Sequence, residues 1–164
     1  MDLCLGIDPG LANTGWSLVS RSEHGLFDVA ASGCIHTDKM DTESERLHQI
    51  YQEISDLLVK YLPTTLIVEN VYFNRNTISC LSTSAVAGVC MVAGEVAGVA
   101  VESVSPQQAK KAVTGRGKAS KESVIASVAK LTGLKVKATH EADAIAIAIT
   151  GLMQMKYPRK LRIR

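Results

Sequence analysis

Residues 1–15 read MDLCLGIDPGLANTG. The apolar run Leu3-Cys4-Leu5-Gly6-Ile7 is too short for a helix and is broken by Pro9 and Gly10, so it predicts a strand buried on both faces. Asp8 ends it. A carboxylate at the tip of a buried strand stands at the rim of a sheet, where α/β proteins place their sites. Asp-Pro-Gly is also good turn chemistry, and on this segment alone Asp8 would serve equally well to start a turn. A second short run, Leu66-Ile67-Val68 within residues 65–69, repeats the design and ends in Glu69. As parallel neighbours, the two strands would bring Asp8 and Glu69 out at the same rim.

The elements around these strands follow from periodicity and punctuation. Residues 14–20 and 27–36, joined through Gly25, predict antiparallel strands that open the fold as a meander. Residues 41–61 switch to helical spacing. Leu47, Ile50, Tyr51, Ile54, Leu57, Leu58 and Tyr61 lie on one face, with Glu45, Arg46, Gln49, Glu53 and Asp56 on the other, and Pro63 stops the helix. Residues 79–96 predict a helix rich in Ala, Gly and Ser. That composition suits close packing in the core or, alternatively, a subunit interface. A further strand is expected at 99–104, then helices at 106–113 and 121–132 separated by Gly115-Arg116-Gly117. The last element, from 140 to about 155, alternates at Ile145, Ile147 and Ile149 like a strand. The intervening residues are Ala, however, and the length and Ala content favour a helix buried nearly all round. His140 and Asp143 then share one face of its first turn, while Glu141 points elsewhere. By themselves they would equally well be polar residues placed at a helix start.

With 164 residues, 46% of them apolar, the chain fits one domain with its own core, at 1–155, followed by a basic tail at 156–164. The four cysteines form no Cys-x-x-Cys pair, and three lie in apolar surroundings suited to buried thiols, which argues for a reducing cytoplasm. Asp2 stands where a signal peptide needs basic residues. Residues 85–101 are apolar but interrupted by Glu95, so no membrane span is expected. The net charge of +2 hides an asymmetry. Residues 1–104 carry five basic and thirteen acidic side chains, whereas residues 110–137 carry eight basic residues against Glu122 alone. Lys156, Arg159, Lys160, Arg162 and Arg164 crowd the tail. Such blocks point to a polyanionic partner, although solvated lysines on a surface helix would look the same.

GIDPGLANTGW, LIVENVYFNRN, QQAKKAVTGRGKASKES and HEADAIAIAIT occur in this order, and through them the chain resembles the RuvC family of Holliday-junction resolvases along most of its length. The resemblance implies an RNase H-like α/β fold with a mixed five-stranded β-sheet flanked by α-helices. It also implies a homodimer and paired, symmetric nicks in four-way junction DNA, working with a branch-migration helicase complex. Asp8, Glu69 and Asp143 match the family's metal-binding carboxylates. The fourth position, commonly aspartate, is His140 here, as in some branches of the family. Tyr72 matches the junction-probing aromatic, with Phe73 beside it. Lys110 and Lys121 match phosphate-contacting lysines, and Lys111, Arg116 and Lys118 would assist by charge.

Chemistry explains the ligand set. An anionic phosphodiester resists attack by water, and two ions can activate the water and stabilise the leaving 3′ oxygen. Hard oxygen donors select Mg2+, with Mn2+ able to substitute, and Asp8 on the central strand suits a bridging role. The resemblance implies 5′-phosphate and 3′-hydroxyl ends. Two other classes compete. DPGLANTG resembles the phosphate loop of actin-like ATPases, but those need two lobes, and GRGKAS has alanine where a Walker motif needs Ser or Thr. A non-catalytic junction-binding module would be expected to lack one of the acids, whereas three acids and a fourth candidate ligand, His140, are present.

Overall fold

A computed structural model of the chain describes residues 2–22, 26–70, 77–136 and 139–154, without the side chains of 77–79. Tyr72, Phe73, Gly25 and the tail at 156–164 lie outside the described residues. Five strands and five helices follow in the order β1 (Leu3–Asp8), β2 (Asn13–Arg21), β3 (Phe27–His36), α1 (Glu43–Tyr61), β4 (Thr65–Glu69), α2 (Thr77–Val96), β5 (Ala100–Val104), α3 (Pro106–Thr114), α4 (Lys121–Thr132) and α5 (Thr139–Gln154). They match the elements predicted from the sequence to within two residues at each end.

The differences at the ends have local causes. α1 starts at Glu43 because Thr42, the N-cap, and Glu45 form a capping box. It ends at Leu62, which takes the left-handed conformation just ahead of Pro63. The apolar face of α1 is the predicted one, with Ile50, Ile54 and Leu58 buried and Leu47, Tyr51, Leu57 and Tyr61 packed partly against them. α5 is a helix, not a strand, and it is buried at Ala142 and from Ala144 to Leu152.

The sheet order is β3-β2-β1-β4-β5. β1 runs antiparallel to β2 and parallel to β4, and β5 is parallel to β4, so the sheet is mixed. Alternation along the strands divides the core in two. Leu5, Ile7, Leu66 and Val68 pack with α1 and α2, whereas Cys4 and Ile67 pack with Ile145, Ile149, Val113 and Val124 from α5, α3 and α4. Asp8 and Glu69 have the parity of Cys4 and Ile67. Both carboxylates therefore leave the sheet on its α5 face.

None of the four cysteines is in a disulfide. Cys4 and Cys90 are buried, but Cys34 and Cys80 are half-buried, one fewer buried thiol than their apolar neighbours suggest. Among the described residues, no helix is long and apolar enough to cross a membrane.

Candidate active site

α5 reaches the rim because the sheet is flattened beneath it. Gly6 and Gly15 replace side chains on β1 and β2: a Cβ on Gly6 would run into the backbone at Ala144 and Ala148, and one on Gly15 into the carbonyl of His140. Gly15 pairs with Asp8 in the β1/β2 register. The first turn of α5 therefore rests directly beside Asp8. His140 Nδ1 stands 2.9 Å from Asp8 Oδ2, with Asp8 15% and His140 46% exposed at the side chain.

Electrostatics joins the remaining acids to this pair. Burial pushes the Asp8 carboxyl up, and Asp143 pushes it further, while the His140 hydrogen bond and Lys121 oppose the rise. Glu69 is pushed up to about 8 by burial and then by Asp8 and Asp143, with Lys110 opposing. Burial also raises Asp143, against the pull of Lys121, His140 and Lys110. All four predicted residues thus occupy one field, and Lys110 and Lys121 belong to it. Among the described residues, no three His, Cys, Asp or Glu side chains converge closely enough to hold one ion as they stand. Asp8 is instead turned to His140. The donor set nevertheless fits a hard divalent cation: three partly buried carboxylates, each pushed up chiefly by burial, supply oxygen donors whose ionised forms a cation would stabilise.

The other predicted contacts are placed differently. Lys111 and Lys118 line a separate cavity of about 400 Å³ with Ser105, Gln107, Gln108 and Gly117, at the start of α3 and the loop before α4. Arg116 is exposed in that loop. Tyr72 and Phe73 are outside the described residues. Two polar pairs go beyond the sequence expectations. His36 Nδ1 lies 2.7 Å from Asn13 Oδ1 at the paired ends of β3 and β2, and Ser32 Oγ donates a hydrogen bond to Glu141 Oε1. Strand parity would have placed Ser32, Cys34 and His36 on the α5 face, but the register of β3, which shifts between Leu18 and Val19 of its partner, cannot be read from composition.

Comparison with known proteins identifies the family. The family model described as crossover junction endodeoxyribonuclease RuvC matches residues 4–151. The crossover junction endodeoxyribonuclease RuvC of Treponema denticola is 40% identical over 148 residues, which span 89% of this chain and 83% of that protein. The solved structure of Thermus thermophilus RuvC superposes with a TM-score of 0.82 at 31% identity, covering 90% of this chain and 92% of that one. The T. thermophilus RuvC solved in complex with a Holliday junction substrate gives a TM-score of 0.81 at 28% identity, over 90% and 91% of the two chains. The mixed sheet and its flanking helices are accordingly an RNase H-like fold. With the family model spanning nearly all of the described residues and a curated relative 40% identical over 89% of this chain, the chain belongs to the RuvC family of crossover junction endodeoxyribonucleases.

Proposed function

We propose that this chain, as a homodimer, resolves four-way DNA junctions by paired symmetric nicks, using Asp8, Glu69, His140 and Asp143 to hold divalent cations. The observation that carries this reading is the meeting of Asp8, at the tip of β1, with His140, in the first turn of α5, at a sheet rim where Glu69 and Asp143 share the same field. Two Mg2+ or Mn2+ ions bound there would supply activation of water and stabilisation of the leaving 3′ oxygen, giving 5′-phosphate and 3′-hydroxyl ends. The chain's own residues do the rest. Asp8, at the end of the central strand, would serve as a ligand central to both ions. When His140 donates from Nδ1 to Asp8 Oδ2, the carboxylate is held in one rotamer and Nε2 is left free to accept a proton or bind metal. Lys110 and Lys121 bring positive charge beside the acids and hold flanking phosphates.

Two nicks in one junction require two such sites, and an exposed apolar face supports a dimer. Leu81 and Val92 on α2 are each 56% exposed, and a cavity of about 390 Å³ between α1 and α2 is lined by Leu47, Tyr51, Ala85, Gly88, Val89 and Val92. A second copy packed along α2 would cover this face. In this reading Tyr72 and Phe73 stack on opened bases at the crossover, Lys111, Arg116 and Lys118 assist by charge, and a branch-migration helicase complex delivers the junction in the cytoplasm. The test is incubation of the protein with a mobile four-way junction and Mg2+. Nicks at symmetry-related positions in two opposed strands support the reading, and random nicking of duplex or no cutting with either ion contradicts it.

A further inference from the structure

Glu141 lies between two proposed ligands but shares in neither. It is the acid of the first turn of α5, and its Oε1 accepts a hydrogen bond from Ser32 Oγ on β3, a residue 109 positions away in the chain. Among the described residues, only this bond and His140 with Asp8 tie that turn to the sheet through side chains. Further along, α5 is held by the buried Ala142 and the run from Ala144 to Leu152, and at its far end Arg21 Nη2 on β2 donates to the Leu152 carbonyl, a tie too distant to orient the first turn. The first turn is less buried, with His140 exposed and Glu141 and Asp143 half-buried, so close packing constrains it less than the run behind it. A hydrogen bond to a carboxylate is directional and charge-assisted. Successive helical residues are separated by about 100°, so a tie at residue 141 fixes the azimuth of residues 140 and 143 together.

We propose that Glu141 is a positioning residue whose hydrogen bond to Ser32 locks the first turn of α5 on β3, so that His140 and Asp143 face Asp8 and Glu69. This rests on the active-site reading above and adds to it a fixed point outside the ligand set. The bland alternative is an acid placed at a helix N-terminus for its charge alone. The two differ in a checkable way, because glutamine keeps the acceptor oxygen and loses the charge.

The experiment measures Mn2+ affinity by calorimetry on the full metal-free chain without DNA, alongside kcat and KM for junction cleavage. Loss of outer-shell partners of metal ligands typically costs about 10–100-fold in affinity or activity, and that range is expected for Glu141→Ala and for Ser32→Ala, in Mn2+ affinity and in kcat with KM little changed. Glu141→Gln should stay close to wild type, and the double variant Glu141→Ala/Ser32→Ala should be no worse than either single change. Wild-type Mn2+ affinity in Glu141→Ala, a Gln variant as poor as the Ala variant, or additive losses in the double variant would each overturn the proposal. Should Glu141→Ala fail to fold, Ser32→Ala decides alone, since it removes one hydroxyl oxygen from a half-buried strand position. Asp8→Asn is the separate control. If it too binds Mn2+ as wild type does, the active-site reading is wrong and the tie has nothing to position.

Discussion

His140 Nδ1 and Asp8 Oδ2 stand 2.9 Å apart although 132 positions separate them in the chain. The bond closes β1 onto α5 at the point where Gly15 leaves room for the helix backbone. An imidazole here, where an aspartate is the commoner family residue, changes the chemistry as well as the charge. As a ligand in the proposed site it would be softer than a carboxylate and would favour Mn2+ over Mg2+.

His140→Ala should therefore be severely impaired with both ions. His140→Asp should keep cutting junctions but shift its preference from Mn2+ toward Mg2+, a change read from cleavage rates in parallel ion titrations. Equal rates for wild type and His140→Ala would reduce His140 to a helix-start residue and leave three carboxylates as the site.

Metal-free protein should lose stability as pH rises. Glu69 is pushed up to about 8 from its usual 4.5, so between these values the native state holds a proton that the unfolded chain has released. The associated stability is complete below the lower value and lost as pH climbs through the upper one. Asp8 and Asp143 are shifted in the same direction. The expected observation is a Tm that falls from about pH 5 to about pH 9 in chelator, with Mg2+ raising Tm more at the alkaline end and Glu69→Gln flattening the trend. A flat profile for the wild-type chain would mean that the acids do not share a buried field.

Lys110 and Lys121 should carry part of the ionic binding to DNA. Replacing both with alanine is expected to lower the slope of log affinity against log salt by about 0.9 for each phosphate that is no longer neutralised. Because Lys110 also opposes the rise of Glu69, its removal should move the pH trend of Tm further toward alkaline values. An unchanged salt slope would show that these lysines do not touch phosphate.

The two acid-tipped strands are legible in the sequence because each is a short apolar run ended by a single carboxylate, with no competing period. α5 is legible for a subtler reason: the alanines between its isoleucines leave no polar face for a strand to expose. Ser32 and Glu141 are not legible as a pair. Their meeting depends on which face of β3 Ser32 takes and on where the first turn of α5 lies over it, and the irregularity opposite Leu18 and Val19 shifts that register. His36 and Asn13 likewise meet only through strand pairing.

The most direct measurement of the central claim is binding and cleavage of one mobile four-way junction by wild type and by Asp8→Asn under identical salt. Asp8→Asn removes a carboxylate charge from the centre of the site but leaves Lys110, Lys121 and the surface around them intact. Junction affinity should be largely retained while cleavage with Mg2+ or Mn2+ is abolished. Cleavage by Asp8→Asn near the wild-type rate would contradict the assignment of the β1 carboxylate, and with it the metal site built around it.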